Sequence, residues 1–149
     1  MKPDFLLTIR GTQRYADHEP ETIELTTEAE MQHKDGVLFL SYPESALTGL
    51  QGTITTFALH PHRVVLKRVG TVNSEMVFEL GRVHQSLYDT GHGALMITVR
   101  TTAIEDNMTL EGGSLLVAYD ISIEGLGMGR IEYQLQARRL SSQHREKEA

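Results

Sequence analysis

His84, Ser86 and Asp89 fall within one short run, VHQSLYD, and supply the base, hydroxyl and carboxylate of a nucleophilic triad. The spacing works against that chemistry. On a strand, residues 84 and 86 share a face about 7 Å apart, too far for the direct hydrogen bond that activates a nucleophile. No nucleophile-elbow sequence surrounds Ser86. His60-Pro61-His62 sets two imidazoles at a turn. A third and fourth metal ligand occur at no usual spacing, so no metal site is expected. Glu44 with Glu75 or Glu79 makes an acid–base pair only at a separation that sequence does not set, and surface carboxylates are the plainer reading. The glycine-containing runs at residues 11–13 and 49–52 match no phosphate loop. No cofactor is expected, and an enzyme is the least supported reading.

The elements that position these residues are strands. The chain has 149 residues, enough for one domain with a sizeable core. It has no Cys, which fits a reducing cytoplasm and excludes disulfides and thiolate chemistry. Its formal charge of −6 argues against a broad phosphate-binding surface, so nucleic acid is not an expected partner. No apolar run approaches the length of a membrane helix or a signal peptide, so no membrane partner is expected.

Period-two alternation dominates the chain. Ile23, Leu25, Thr27, Ala29 and Met31 share one face against Glu24, Thr26, Glu28 and Glu30 on the other. Leu115, Val117, Tyr119, Ile121 and Ile123 repeat the pattern, as do Ile131, Tyr133, Leu135 and Ala137. Gly11 interrupts the first run and reads as a bulge or bend. Asp35-Gly36 between apolar runs predicts a type I′ hairpin, whose central residues both need positive φ. Residues 43–52 do not alternate and read as a helical turn or a flap. Residues 94–102 read as one strand and 115–124 as the next. About nine or ten strands joined by short turns favour antiparallel neighbours, and a meander of that length closes rather than exposing its edges. The expected fold is all-β: a closed antiparallel up-and-down barrel of about 8–10 strands. It forms a single domain over residues 1–140, with a polar tail at 141–149.

Residues 63–102 hold the densest set of polar side chains that alternate with apolar ones. A type I turn with a G1 bulge at Glu79-Leu80-Gly81 pairs 78 with 82, 76 with 84 and 74 with 86. Met76, Phe78, His84, Ser86 and Tyr88 then share a face, which Arg68 joins depending on the kink at residues 70–73. That row either lines a ligand cavity or satisfies its own polar groups inside a packed barrel.

This stretch resembles the YwiB-like uncharacterised β-barrel family of bacteria. The likeness rests on Arg68, Gly70, Asn73-Ser74, Met76, Phe78, His84, Ser86, Leu87 and Tyr88, with IRGTQ at residues 9–13 and SYPESALTGLQGT at 41–53. It runs from about Phe5 to Ala137. The resemblance implies a calycin-like (lipocalin-like) barrel, a fold associated with small apolar ligands, and carries no assigned activity or catalytic residues.

The expected function is therefore binding without catalysis. A small apolar or carboxylate-bearing ligand would lie inside the barrel against Met76, Phe78, Ser86 and Tyr88, with Arg68, Asn73 and His84 as polar anchors. Residues 5–9 and the flap at 43–52 would close one mouth. The alternative is a solid barrel acting through its rim, or as a homodimer through the apolar outer face of Val77, Val83, Leu87, Leu116 and Ala118.

Overall fold

Each alternating run forms a strand, and each strand pairs with its neighbour in sequence. A computed structural model of the protein describes residues 4–15 and 18–140; the 141–149 tail and part of the 16–20 loop lie outside the described residues. The strands are β1 (Phe5–Tyr15), β2 (Glu21–Lys34), β3 (Val37–Pro43), β4 (Thr53–Leu59), β5 (Val64–Gly70), β6 (Asn73–Phe78), β7 (Val83–Asp89), β8 (Ala94–Thr109), β9 (Gly112–Ile123) and β10 (Leu126–Arg139). All pairings between these strands are antiparallel, and β1 meets β10 from Phe5↔Arg139 to Tyr15↔Gly129, so the sheet closes as an up-and-down barrel. Among the described residues, no helix is long and apolar enough to cross a membrane.

A meander alternates its turns between two ends. One end carries the turns β2–β3, β4–β5, β6–β7 and β8–β9 together with the start of β1. The other carries the connections β1–β2, β3–β4, β5–β6, β7–β8 and β9–β10. We call these the closed end and the mouth. Phe5 is at the closed end and residues 43–52 are at the mouth, so the two segments expected to close one opening sit at opposite ends.

Local chemistry sets the turns. Asp35 (φ 54°) and Gly36 (φ 79°) both take positive φ, as the type I′ hairpin requires. At the mouth, Ser45 caps a single 3₁₀ turn, Ala46–Thr48, by accepting from the Leu47 N–H at 3.2 Å. The segment is pinned to the β5–β6 turn: Thr71 Oγ1 donates to the Gln51 carbonyl at 3.0 Å. Gly70 (φ 138°) is required there, because a Cβ would strike the Gly52 carbonyl.

Three expectations need correction. Gly11 is neither bulge nor bend, since β1 pairs without interruption on both sides of it. It is small because the Tyr133 ring packs over it; a Cβ would stand 3.3 Å from Tyr133 Cε1. Second, β8 does not stop at Thr102. The register shifts between Thr101 and Ala103, and the strand continues to Thr109. The bulge turns the inward positions from Ile97, Val99 and Thr101 to Ile104 and Met108. Third, β6 pairs β7 only through Asn73↔Asp89 and Ser74↔Tyr88, two residues away from the expected register. Arg82 N donates to the Glu79 carbonyl at 3.0 Å with Gly81 at φ 75°, and the turn folds against Thr101 of β8. A shift of two preserves facing, so the shared face of 76, 78, 84, 86 and 88 is retained. β6 and β7 part toward the closed end, leaving a seam in the wall.

The interior reads in layers. At the closed end, Leu38, Leu59, Val64 and Phe78 stand opposite one another across β3–β6. The next layer is Leu40, Phe57, Leu66 and Met76. With Leu7, Val99, Leu115, Val117 and Leu135 these form a continuous apolar core. A fully buried side chain of this kind contributes about 1.5–3 kcal/mol, and the closed half of the barrel is where most of them lie.

Candidate functional site

One layer toward the mouth, residue type changes abruptly. Tyr42 on β3 faces Thr55 on β4, which faces Arg68 on β5, which faces Ser74 on β6, which faces Tyr88 on β7. Directly opposed residues on adjacent strands bring their Cβ atoms to about 4.5–5.5 Å, so these five side chains form one polar row around half the barrel. Arg68 is 7% exposed and Glu44, just past the end of β3, is 8% exposed. Glu44 is set beside the row because its N–H donates to the Thr53 carbonyl at 2.8 Å.

Above the row is a cavity of about 330 Å³ at the mouth, at the small end of ligand sites (about 300–1,000 Å³). Its polar wall includes Tyr42, Glu44, Arg68 and Tyr88, with Gln13 and Glu21 also lining it; its apolar wall includes Ile9, Leu25, Met76, Ile97, Ile121 and Ile131. Thr48 and Leu50 of the 43–52 segment reach its rim. The floor is aromatic. Tyr119 and Tyr133 line the cavity with centroids 6.3 Å apart, Phe78 lies against Tyr119 at 4.6 Å, and Phe57 meets Tyr133 edge-on at 6.4 Å.

The electrostatics are those of a fixed cation among neutral phenols. Burial raises the phenol pKa of Tyr42, with the Glu44 charge adding to the rise and Arg68 opposing it. Burial likewise raises Tyr88 and Tyr119. Burial alone would lower the Arg68 pKa, but the surrounding phenols of Tyr133, Tyr42 and Tyr88 more than offset it, and the guanidinium stays charged. Burial raises the Glu44 carboxyl, which the Arg68 charge partly restrains. Arg68 nevertheless makes no direct ion pair among the described residues. Its Nε, Thr55 Oγ1 and Ser74 Oγ are all buried without a hydrogen-bond partner of good geometry. Each such orphan costs about 1–3 kcal/mol. Three of them on adjacent strands mark a place where the chain gives up stability.

Of the residues singled out from sequence, the structure gathers Arg68, Met76 and Tyr88 on the cavity wall. Phe78 is buried one layer deeper, beneath Tyr119. His84 and Ser86 are half-buried on the inward face of β7 at the seam, and neither lines the cavity. His84 Nε2 instead pairs with Glu79 Oε1 at 2.9 Å. Asn73 is exposed and points away: its Oδ1 accepts from Gly70 N at 3.1 Å and its Nδ2 donates to Gly70 O at 2.9 Å, bracing the β5–β6 turn. Asn73 is therefore a turn residue and not a cavity anchor. Asp89 is also outward, accepting from Gly91 N at 2.8 Å, so His84, Ser86 and Asp89 do not assemble. Sequence reading missed Tyr42, Thr55 and Ser74 as members of the row and placed Tyr119 and Tyr133 only as inward-facing strand residues. Glu44 was weighed only for acid–base work with Glu75 or Glu79, both of which lie on other parts of the molecule from the cavity wall.

Comparison with known proteins agrees with this architecture. No curated protein matches the sequence. Among solved structures, the ywiB protein from Bacillus subtilis superposes with a TM-score of 0.83 at 22% sequence identity, over 93% of each chain. That likeness is one of fold. A family model matches residues 7–135, which is all ten strands apart from the outer ends of the first and last. The chain belongs to the DUF1934 family, described as a domain of unknown function.

Proposed function

We propose that the mouth cavity binds a small, partly apolar molecule by its carboxylate, held on Arg68, and does no chemistry on it. The observation that carries this reading is Arg68 itself: a nine-tenths buried cation on the cavity wall with no ion-pair partner among the described residues. A guanidinium so placed presents a planar fork that matches a carboxylate. The tyrosine phenols supply neutral hydrogen bonds beside it, and the isoleucine-rich wall takes an apolar body. The packed closed half limits ligand length, so a long acyl chain does not fit. In keeping with a chain without cysteine, we place the protein in the cytoplasm.

Calorimetric titration with 3-phenylpropionate and with its methyl ester tests the reading. The acid should bind and the ester should not. Arg68→Gln should weaken acid binding by at least about tenfold, the value of one charged hydrogen bond at ~1.5–3 kcal/mol. Equal affinity for acid and ester would overturn it.

A second reading draws on the outer wall. Leu87 and Met96 form an exposed cross-strand pair beside exposed Val83, and Ile54 pairs with Val69 in the same way. Such a surface suits a homodimer. Sedimentation showing a monomer at high concentration would dismiss it.

A further inference from the structure

The inference rests on the reading that Arg68 holds a carboxylate, and concerns the second charged group in the same cavity. Glu44 and Arg68 both line it and both are more than nine-tenths buried. Each feels the other's charge, yet they do not close into a direct ion pair. Opposite charges in a low-dielectric site attract strongly, and a pair that stays apart leaves each without a counter-ion, although the Tyr42 and Thr55 hydroxyls attend the Glu44 carboxylate.

That arrangement selects among ligands by charge count. A ligand with a carboxylate alone satisfies Arg68 but brings a second anion into a confined site beside Glu44, where like charges repel. A ligand with an amine alone satisfies Glu44 and leaves Arg68 as it was. A molecule carrying both groups on neighbouring atoms neutralises both residues and enters with no net charge. The rest of the wall is mostly apolar: Ile9, Leu25, Ile97, Ile121 and Ile131 over the Tyr119 ring accept an apolar side chain, with Gln13, Thr48 and the exposed Glu21 as its further polar residues. The cavity volume of about 330 Å³ suits one small molecule.

We infer that the site takes a free amino acid with an apolar side chain, its carboxylate on Arg68, its ammonium on Glu44 and its side chain against the isoleucine wall. The two polar contacts fix orientation, and the tyrosines complete the shell of hydrogen bonds.

The test is calorimetric titration of the full chain with two matched sets: L-phenylalanine, 3-phenylpropionate and phenethylamine, then L-leucine, 4-methylpentanoate and 3-methylbutylamine. At least one amino acid should bind about tenfold or more tightly than both its acid and its amine. Glu44→Gln, nearly isosteric and checked for folding by its melting curve, should erase that preference by weakening the amino acid and leaving the acid unchanged or improved. An acid that binds as tightly as its amino acid overturns the inference and leaves the carboxylate reading standing. Preference for the amine, or no binding by any of the six, overturns both.

Discussion

Along β3 to β6 the two halves of the barrel interior follow the same alternation and the same strand pairing, yet do opposite things. In the closed half, each layer is filled by side chains such as Leu40, Phe57, Leu66 and Phe78, all essentially inaccessible to water. In the mouth half, the next layer along the same strands is Tyr42, Thr55, Arg68, Ser74 and Tyr88, and three of its polar atoms have no hydrogen-bond partner of good geometry. Across β3 to β6 the backbone is not the source of the difference, since these strands pair without a register shift from one half into the other. It lies in residue type at one level of the sheet. On the proposed reading, a packed half fixes the shape of the wall and a half that forgoes packing carries the recognition.

Substitutions in the two halves should therefore differ in sign. The largest effect is expected from Phe78→Ala, which empties a fully buried ring position in the closed half. It should cost about 3–5 kcal/mol in denaturant unfolding. A loss under about 1 kcal/mol would show that this half is not the packed one. In the mouth, Thr55→Val removes a buried hydroxyl with no partner of good geometry and keeps the shape. It should raise stability by about 1 kcal/mol. A clear loss would mean that the hydroxyl is satisfied and the row is structural.

The smallest effect concerns pH. Burial raises the folded-state pKa of Glu44 above its ordinary value. Its protonated form is therefore favoured by folding. The stability linked to it is fully present below the unfolded-state value near 4.5 and is lost as pH rises through the folded value. Glu44→Gln should remove that loss. The variant should match the native protein in acid and exceed it at higher pH, as read from melting curves across the range. A variant less stable at neutral pH would show that ionised Glu44 is instead well paired.

Sequence carried the fold further than it carried the site, for physical reasons. Alternation is a local signal, so the inward faces of β2, β9 and β10 were legible from Ile23, Leu115 and Ile131 onward. The Asp35-Gly36 turn was legible because few residue pairs accept two positive φ values. The second half of β8 was hidden by the bulge at Thr101/Ala103, since alternation changes phase there. Alternation already argued against Asn73, which is out of phase with Met76 and Phe78. Its amide was credited with a cavity role that its parity denies. The polar row was beyond reach for a different reason. Bringing Tyr42, Thr55, Arg68, Ser74 and Tyr88 to one level takes four hairpin registers at once, and two-residue slips leave every facing unchanged. Tyr88 was found from the face it shares with Met76 and Phe78, and Arg68 joined that face only through the kink at residues 70–73; Thr55 and Ser74 look ordinary until their neighbours across the sheet are known.

The comparison between halves has one direct test. Two-dimensional NMR of the protein, following backbone amides and the Arg68 Nε–H, is recorded while 3-phenylpropionate is added. The Arg68 Nε–H and the amides of Tyr42 and Tyr88 should shift together and saturate, while those of Leu40, Leu66 and Phe78 in the closed half stay in place. Shifts centred on the closed half or on the outer wall at Leu87 and Met96, with the Arg68 signal unmoved, would contradict the account.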